Sequence, residues 1–165
     1  MKKVLMIDHE KCTGCRLCEL VCSVMHDGVS NPARSRIKVM KWESEGVYVP
    51  ISCQQCEDAP CMNVCPVKAI FRDADTDGVM VDYSVCIGCR ACVAVCPFGA
   101  MNYNVLDRKV FKCDLCGGDP QCEKFCDVLA ISYVDADRIS VFKKKNAAER
   151  LTAAQREAAR LQTAS

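Results

Sequence analysis

Four runs of cysteine carry the chemistry of this sequence. They are Cys12, Cys15, Cys18 and Cys22; Cys53, Cys56, Cys61 and Cys65; Cys86, Cys89, Cys92 and Cys96; and Cys113, Cys116, Cys122 and Cys126. The third run has the spacing C-x2-C-x2-C-x3-C and closes on Pro97. Thiolates at i, i+3 and i+6 can wrap one cube-shaped 4Fe-4S cluster, and the fourth cysteine of such a run turns away to ligate a neighbouring cluster. Runs of this kind therefore come in pairs. The chain has 16 cysteines, which fill four four-thiolate sites and leave none over as a nucleophile, a redox sensor or an incomplete ligand set.

Zinc also takes four thiolates from C-x2-C pairs. It needs neither a third cysteine at i+6 nor a fourth followed by proline, so the spacing favours iron-sulfur clusters. A disulfide scaffold fits less well, because Val4-Leu5-Met6-Ile7 is too short for a secretory apolar region. Runs two and three both end in Cys-Pro and enclose a segment that reads as a hairpin, the layout of a paired two-cluster unit. Exchange of fourth cysteines then gives one site from Cys53, Cys56, Cys61 and Cys96 and another from Cys86, Cys89, Cys92 and Cys65. Runs one and four are left to each other. They give a site from Cys12, Cys15, Cys18 and Cys126 and a site from Cys113, Cys116, Cys122 and Cys22.

The formal charge of +1 counts the cysteines as neutral. With every thiol ionised on iron, the loaded chain comes to about −7. Lys11, Arg16, Arg90, Lys112 and Lys124 lie near the runs and can offset that charge, or can be ordinary solvated surface. Basic residues are neither in excess nor clustered with aromatics, which argues against nucleic-acid binding. No span reaches transmembrane length, so direct membrane insertion is not expected. Free thiols in this number point to the reducing cytoplasm.

Short elements must position the runs. Residues 3–7 read as a strand feeding the first run. Residues 36–42 alternate polar and apolar, Glu43-Ser44-Glu45-Gly46 turns, and Val47 to Ile51 returns, which predicts a hairpin between runs one and two. Further hairpins are expected from 68–71 with 79–83, from 100–104 with 109–111, and from 130–134 with 139–142. The acidic turn Asp73 to Gly78 lacks the closing glutamate of a calcium loop and reads as turn chemistry. Runs one and three share a glycine before the second cysteine (Gly14, Gly88), while runs two and four carry a proline in a stretched gap (Pro60, Pro120). The halves are a tandem repeat. The two glycines suit a close backbone approach to a cluster or a tight turn. His9 and His26 lack a second titratable motif and read as surface or turn histidines; Trp42 and the methionines read as hairpin packing.

From Lys143 the composition turns alanine-rich, with a capping signal at Asn146 and Glu149. Ala147, Leu151, Ala154, Ala158 and Leu161 follow at helical spacing. A helix over 146–161 with a narrow apolar seam is expected. It suits docking on a catalytic subunit or on a second copy of this chain, with folding back onto its own domain as the alternative.

The four-run pattern over residues 4–142 resembles the four-cluster ferredoxin-like subunits of molybdenum and tungsten oxidoreductases, such as those of dimethyl sulfoxide reductase and formate dehydrogenase. Within that group Cys12 to Ser23, His26, Asn31-Pro32 and Ser35-Arg36-Ile37 are most similar to the small subunits of tungsten aldehyde oxidoreductases and to carbon-monoxide-dehydrogenase-linked ferredoxins. The resemblance implies four 4Fe-4S clusters in a chain, with crossed ligation. Run four ends Cys126-Asp127 rather than Cys-Pro, which alters the turn and keeps the ligand.

The expected fold is α+β: two interleaved dicluster lobes with short hairpins, plus a C-terminal helix. Lobe one takes runs 12–22 and 113–126, lobe two takes runs 53–65 and 86–96, and 143–165 is a helical docking segment. The expected role is a non-catalytic electron-transfer subunit between a tungsten or molybdenum catalytic subunit and a second, flavin- or NAD-linked partner. The alternatives are a free-standing polyferredoxin, or the corresponding subunit of a carbon monoxide dehydrogenase, formate dehydrogenase or hydrogenase.

Overall fold

The computed structural model describes residues 3–141 together with Lys144, Ala148 and Thr152. The chain runs β1 (Lys3–Ile7), α1 (Leu17–Asp27), β2 (Lys38–Trp42), β3 (Val47–Ile51), α2 (Pro60–Asn63), β4 (Ile70–Arg72), β5 (Val79–Val81), α3 (Ala91–Val95), β6 (Asn102–Asn104), β7 (Lys109–Phe111), α4 (Gln121–Lys124) and β8 (Ile131–Asp135). Among the described residues the strands form four antiparallel two-stranded ribbons, and the architecture is the expected α+β assembly of short helices and hairpins.

Period-two alternation places β2 opposite β3 with Lys38 facing Ile51 and Trp42 facing Val47, as the sequence predicts. The pairs β4–β5 and β6–β7 form likewise. The turn after β4 is held by Asp73, whose carboxylate accepts from the Thr76 amide at 2.9 Å and hydroxyl at 2.7 Å. That is turn chemistry, as expected.

The fourth expected hairpin does not form. Residues 131–135 pair instead with β1, Lys3 facing Asp135 and Ile7 facing Ile131, and the ladder continues through Asp8 N–H to the Ala130 carbonyl at 2.8 Å. Ala136–Arg138 then turn as a 3-10 segment and Ile139 to Val141 are helical, so this part of 139–142 is not a strand. A distant partner satisfies β8, and the local alternation of 139–142 has no strand left to pair with. The helix expected over 146–161 lies outside the described residues apart from Ala148 and Thr152.

Apolar burial separates into two cores. One gathers Cys18, Cys22, Ile37, Val39, Cys122 and Ile131, with Leu5, Cys12, Tyr48 and Cys126 packed against it, and joins runs one and four. The other gathers Ala59, Ile70, Val79, Cys92, Met101 and Val110 around runs two and three. Correspondingly, α1 packs on α4 and α2 packs on α3. Among the described residues no helix is long and apolar enough to cross a membrane.

Candidate metal centres

Each run begins as a loop and ends at a short helix, so the first cysteines of a run curl round a hollow while the last is carried away by the helix. Arg16 and Arg90, at φ 62° and 65°, break the backbone into α1 and α3 right after the second cysteine of their runs. Three hollows are lined by four cysteines each. The first has Cys53, Cys56, Cys61 and Cys96. Another has Cys65, Cys86, Cys89 and Cys92, and the last has Cys22, Cys113, Cys116 and Cys122. In each, three cysteines come from one run and one from another. The remaining four are Cys12, Cys15, Cys18 and Cys126. Cys12, Cys18 and Cys126 sit in or against the first core, and Cys18 feels the charges of both Cys15 and Cys12.

The electrostatics also show which hollows adjoin. Cys122 feels Cys18 of run one as well as Cys113 and Cys116. Cys113 feels Cys53 of run two. Cys92 feels Cys61. Burial pushes the thiols of Cys18 and Cys113 up to about 12 and that of Cys92 up to about 11. Burial in an apolar interior opposes ionisation of these thiols, so a thiolate there needs a compensating positive charge.

Backbone amides point at the sulfurs. The N–H groups of Arg36, Ala69, Leu115 and Ala130 donate to the Sγ of Cys22, Cys65, Cys113 and Cys126 at 3.3, 3.2, 3.5 and 3.3 Å. Such donors stabilise a sulfur that carries negative charge. Ala69 and Ala130 follow their cysteines by four residues after a left-handed residue, Lys68 or Leu129, and Ala100 stands in the same relation to Cys96 and Gly99. All three alanines are buried. The spacing C-x3-A-[IM] repeats at Cys65, Cys96 and Cys126 and is the sequence signal that marks them. Ser52, next to Cys53 and 1% exposed, has a hydroxyl with no hydrogen-bond partner among the described residues. An orphaned donor beside a cysteine hollow fits a site that holds a further acceptor. The all-thiolate donor set, the inward amides and the 16 free cysteines fit four 4Fe-4S clusters.

The glycines act differently from either expectation taken alone. Gly14 and Gly88 do have left-handed φ values of 70° and 67°, but a Cβ on them would meet protein behind the loop: the Tyr48 ring at 2.4 Å and the Arg108 carbonyl oxygen at 2.2 Å. Each seats its run against a hairpin, β2–β3 or β6–β7. A tyrosine lies behind each glycine, Tyr48 behind Gly14 and Tyr103 at 3.8 Å from a Cβ on Gly88, and Arg90 stacks on Tyr103 at 4.2 Å.

His26 is not a plain surface histidine. Its Nδ1–H donates to the Cys22 carbonyl at 2.8 Å and its Nε2–H to Asp114 Oδ1 at 3.0 Å, leaving 12% of the side chain exposed. Two acceptors require the doubly protonated ring, and the Asp114 hydrogen bond leads the groups that push its pKa up to about 12. Burial alone would raise the Asp114 carboxyl. The His26 hydrogen bond and the Arg36 charge outweigh it and hold that carboxyl far below the usual range. Arg36 binds the other Asp114 oxygen, so one carboxylate clamps run one to run four. The metal-capable atoms of His26, Asp114 and Cys116 lie within 4.8 Å of one another, yet both ring nitrogens are engaged and Cys116 lines a cysteine hollow. His9 is exposed, as expected. Trp42 is 48% exposed on the outer face of its hairpin, so packing accounts for only part of it.

Sequence reasoning missed Glu19. It is 1% exposed, accepts from the Val39 amide at 2.7 Å and from Arg16 Nε at 2.6 Å, and ties α1 to the β2–β3 hairpin. Among the five flanking cations, Lys112 is 2% exposed, whereas Lys11, Arg16 and Lys124 keep about half their side chains in solvent.

A family model described as "4Fe-4S dicluster domain" matches residues 44–136, and one described as "4Fe-4S binding domain" matches residues 5–24. The chain is 43% identical to the aliphatic sulfonate oxidoreductase polyferredoxin-like subunit of Pyrococcus furiosus, over 74% of this chain and 70% of that one. It is 39% identical to the putative electron transport protein YsaA of Escherichia coli, over 84% and 94%. It is 33% identical to the thiosulfate reductase electron transfer subunit PhsB of Salmonella typhi, over 84% and 78%. With three hollows each lined by four cysteines and more than half its length matched, this chain belongs to the 4Fe-4S dicluster domain family.

Proposed function

We propose that the chain is a non-catalytic electron-transfer subunit that holds four clusters in a row between a catalytic oxidoreductase subunit and a second redox partner. The carrying observation is the adjacency of the hollows. Site C (Cys12, Cys15, Cys18, Cys126) neighbours site D (Cys22, Cys113, Cys116, Cys122) through Cys18 and Cys122. Site D neighbours site A (Cys53, Cys56, Cys61, Cys96) through Cys113 and Cys53. Site A neighbours site B (Cys65, Cys86, Cys89, Cys92) through Cys61 and Cys92. The row is C, D, A, B, with C and D in one lobe and A and B in the other.

A bound 4Fe-4S cluster takes up and releases single electrons at potentials within about −700 to +450 mV, set by its surroundings. The chain supplies those surroundings. Its amides donate to cysteine sulfur, its buried alanines exclude water, and the Asp114 clamp holds the two halves of the first lobe together. Cys15 and Cys89 are the exposed cysteines among the 16, one at each end of the row. Partner surfaces can therefore approach sites C and B.

The names of the relatives support an oxidoreductase complex whose catalytic subunit acts on small oxidised sulfur compounds or related substrates. A molybdenum or tungsten catalytic subunit is our preferred partner, with the tungsten aldehyde oxidoreductase type suggested by the residues of run one. The free thiols suit a reducing compartment, the cytoplasm, and residues 146–161 suit docking on the partner. Anaerobic purification of the tagged chain from its own cells tests the role. A stable complex with a metal-cofactor subunit, in which the clusters are reduced on addition of that subunit's substrate, is the expected result. A chain that elutes alone and exchanges electrons only by collision would be a free polyferredoxin instead.

A further inference from the structure

Lys112 stands where the two lobes meet. Its ammonium donates to the Cys113 carbonyl at 2.8 Å and to the Val79 carbonyl, and it lies 3.4 Å from Gln55 Oε1. Gln55 is 3% exposed and spans the same junction, its Nε2 donating to the Cys113 carbonyl at 2.9 Å and its Oε1 accepting from the Val79 amide at 2.8 Å. Among the described residues no carboxylate lies within salt-bridge range of this ammonium. A buried ammonium without a counter-charge is costly.

The negative charge that repays it is thiolate. Lys112 lines the hollow of Cys53, Cys56, Cys61 and Cys96, and it adjoins Cys113 of the next hollow in sequence and by hydrogen bond. One cation thus faces both inner sites of the row.

Resting on the four-cluster reading above, we infer that Lys112 is a fixed internal cation shared by sites A and D, which makes both easier to reduce than they would be without it. Each electron delivered by a redox partner adds one negative charge to a site, and no bond forms or breaks. In a water-poor interior the attraction between that charge and the ammonium is weakly screened, and it acts on the reduced state more than on the oxidised one. Lys112 does not line the hollow of site B. Lys112 therefore shapes the middle of the row, the step between lobes.

The test is an EPR-monitored redox titration with iron analysis of the anaerobic full chain and of Lys112→Met, Lys112→Gln and Lys112→Arg. Lys112→Met and Lys112→Gln should make two of the four centres about tenfold harder to reduce, about 59 mV for a one-electron couple, and leave the other two in place. Lys112→Arg, which keeps the charge, should restore the wild-type pattern. Gln keeps a donor but no charge, so a purely structural role would spare Lys112→Gln. Unchanged potentials in Lys112→Met and Lys112→Gln with full iron would overturn the inference. If the two neutral variants lose iron from two sites and Lys112→Arg keeps it, the shared charge is supported; equal loss in all three variants would overturn it. A wild-type chain with fewer than four clusters would instead remove the reading on which the inference rests.

Discussion

Replacing Glu19 by glutamine and, separately, by leucine separates the value of its charge from that of its buried acceptor. Glu19 accepts from the Val39 amide at 2.7 Å while 1% exposed, and Val39 is itself buried. Its partner Arg16 keeps 44% of its side chain in solvent, so that ion pair adds at most about 0.5 kcal/mol after screening. Gln preserves an acceptor for Val39 and loses the charge assistance, at a cost of about 1 kcal/mol. Leu fills the space but strands the Val39 N–H, so the lost bond and the unpaired donor together cost about 3 kcal/mol. With a guanidinium slope on the order of 3 kcal/mol per molar, these become midpoint shifts of about 0.3 M and about 1 M. Loss of cluster absorbance after a fixed anaerobic incubation reports the midpoint. Equal midpoints for Glu19→Gln and Glu19→Leu would refute the argument that the buried acceptor, rather than the charge, anchors α1 to its hairpin.

Cys96→Ser should damage the site that contains Cys53, Cys56 and Cys61 and spare that of Cys86, Cys89 and Cys92; EPR of the variant that showed the reverse would undo the crossed ligation. Asp114→Asn should shorten the life of the clusters by removing the clamp from His26 and Arg36. The depressed Asp114 carboxyl contributes above its unfolded value of about 4 and loses its effect as pH falls further, while the raised His26 contributes fully below about 6.5 and fades as pH rises toward 12. The ratio of wild-type to variant half-lives should therefore peak between about pH 4 and 6.5; a ratio independent of pH would contradict the ion pair. Removing iron with a chelator should erase the circular dichroism of the short ribbons, because cysteines of the runs belong to both cores or pack against them. Retention of native-like spectra in the iron-free chain would show that the apolar residues suffice.

What was legible in the sequence was local. The β2–β3 hairpin announced itself by alternation and a Glu-Ser-Glu-Gly turn, and the spacing of the runs marked the cysteines. The pairing of β1 with β8 was not legible, because nothing near residues 3–7 names a partner at 131–135. Without that partner the sequence offered 139–142 to β8 by proximity, and the hairpin drawn there was wrong. Lys112 was visible as one of five flanking cations, but only the meeting of Val79, Gln55 and Cys113 around it shows which one is buried. His26 carried a readable hint: it follows Cys22 by four residues on a helix, one turn away on the same face. Its second partner, Asp114, comes from run four and could not be read locally.

The iron and sulfide content of the anaerobically purified full chain tests the central claim most directly. Four sites lined by 16 cysteines call for close to 16 iron atoms and 16 sulfides per chain. A reproducible content near half of that, with zinc making up the remainder, would contradict the account.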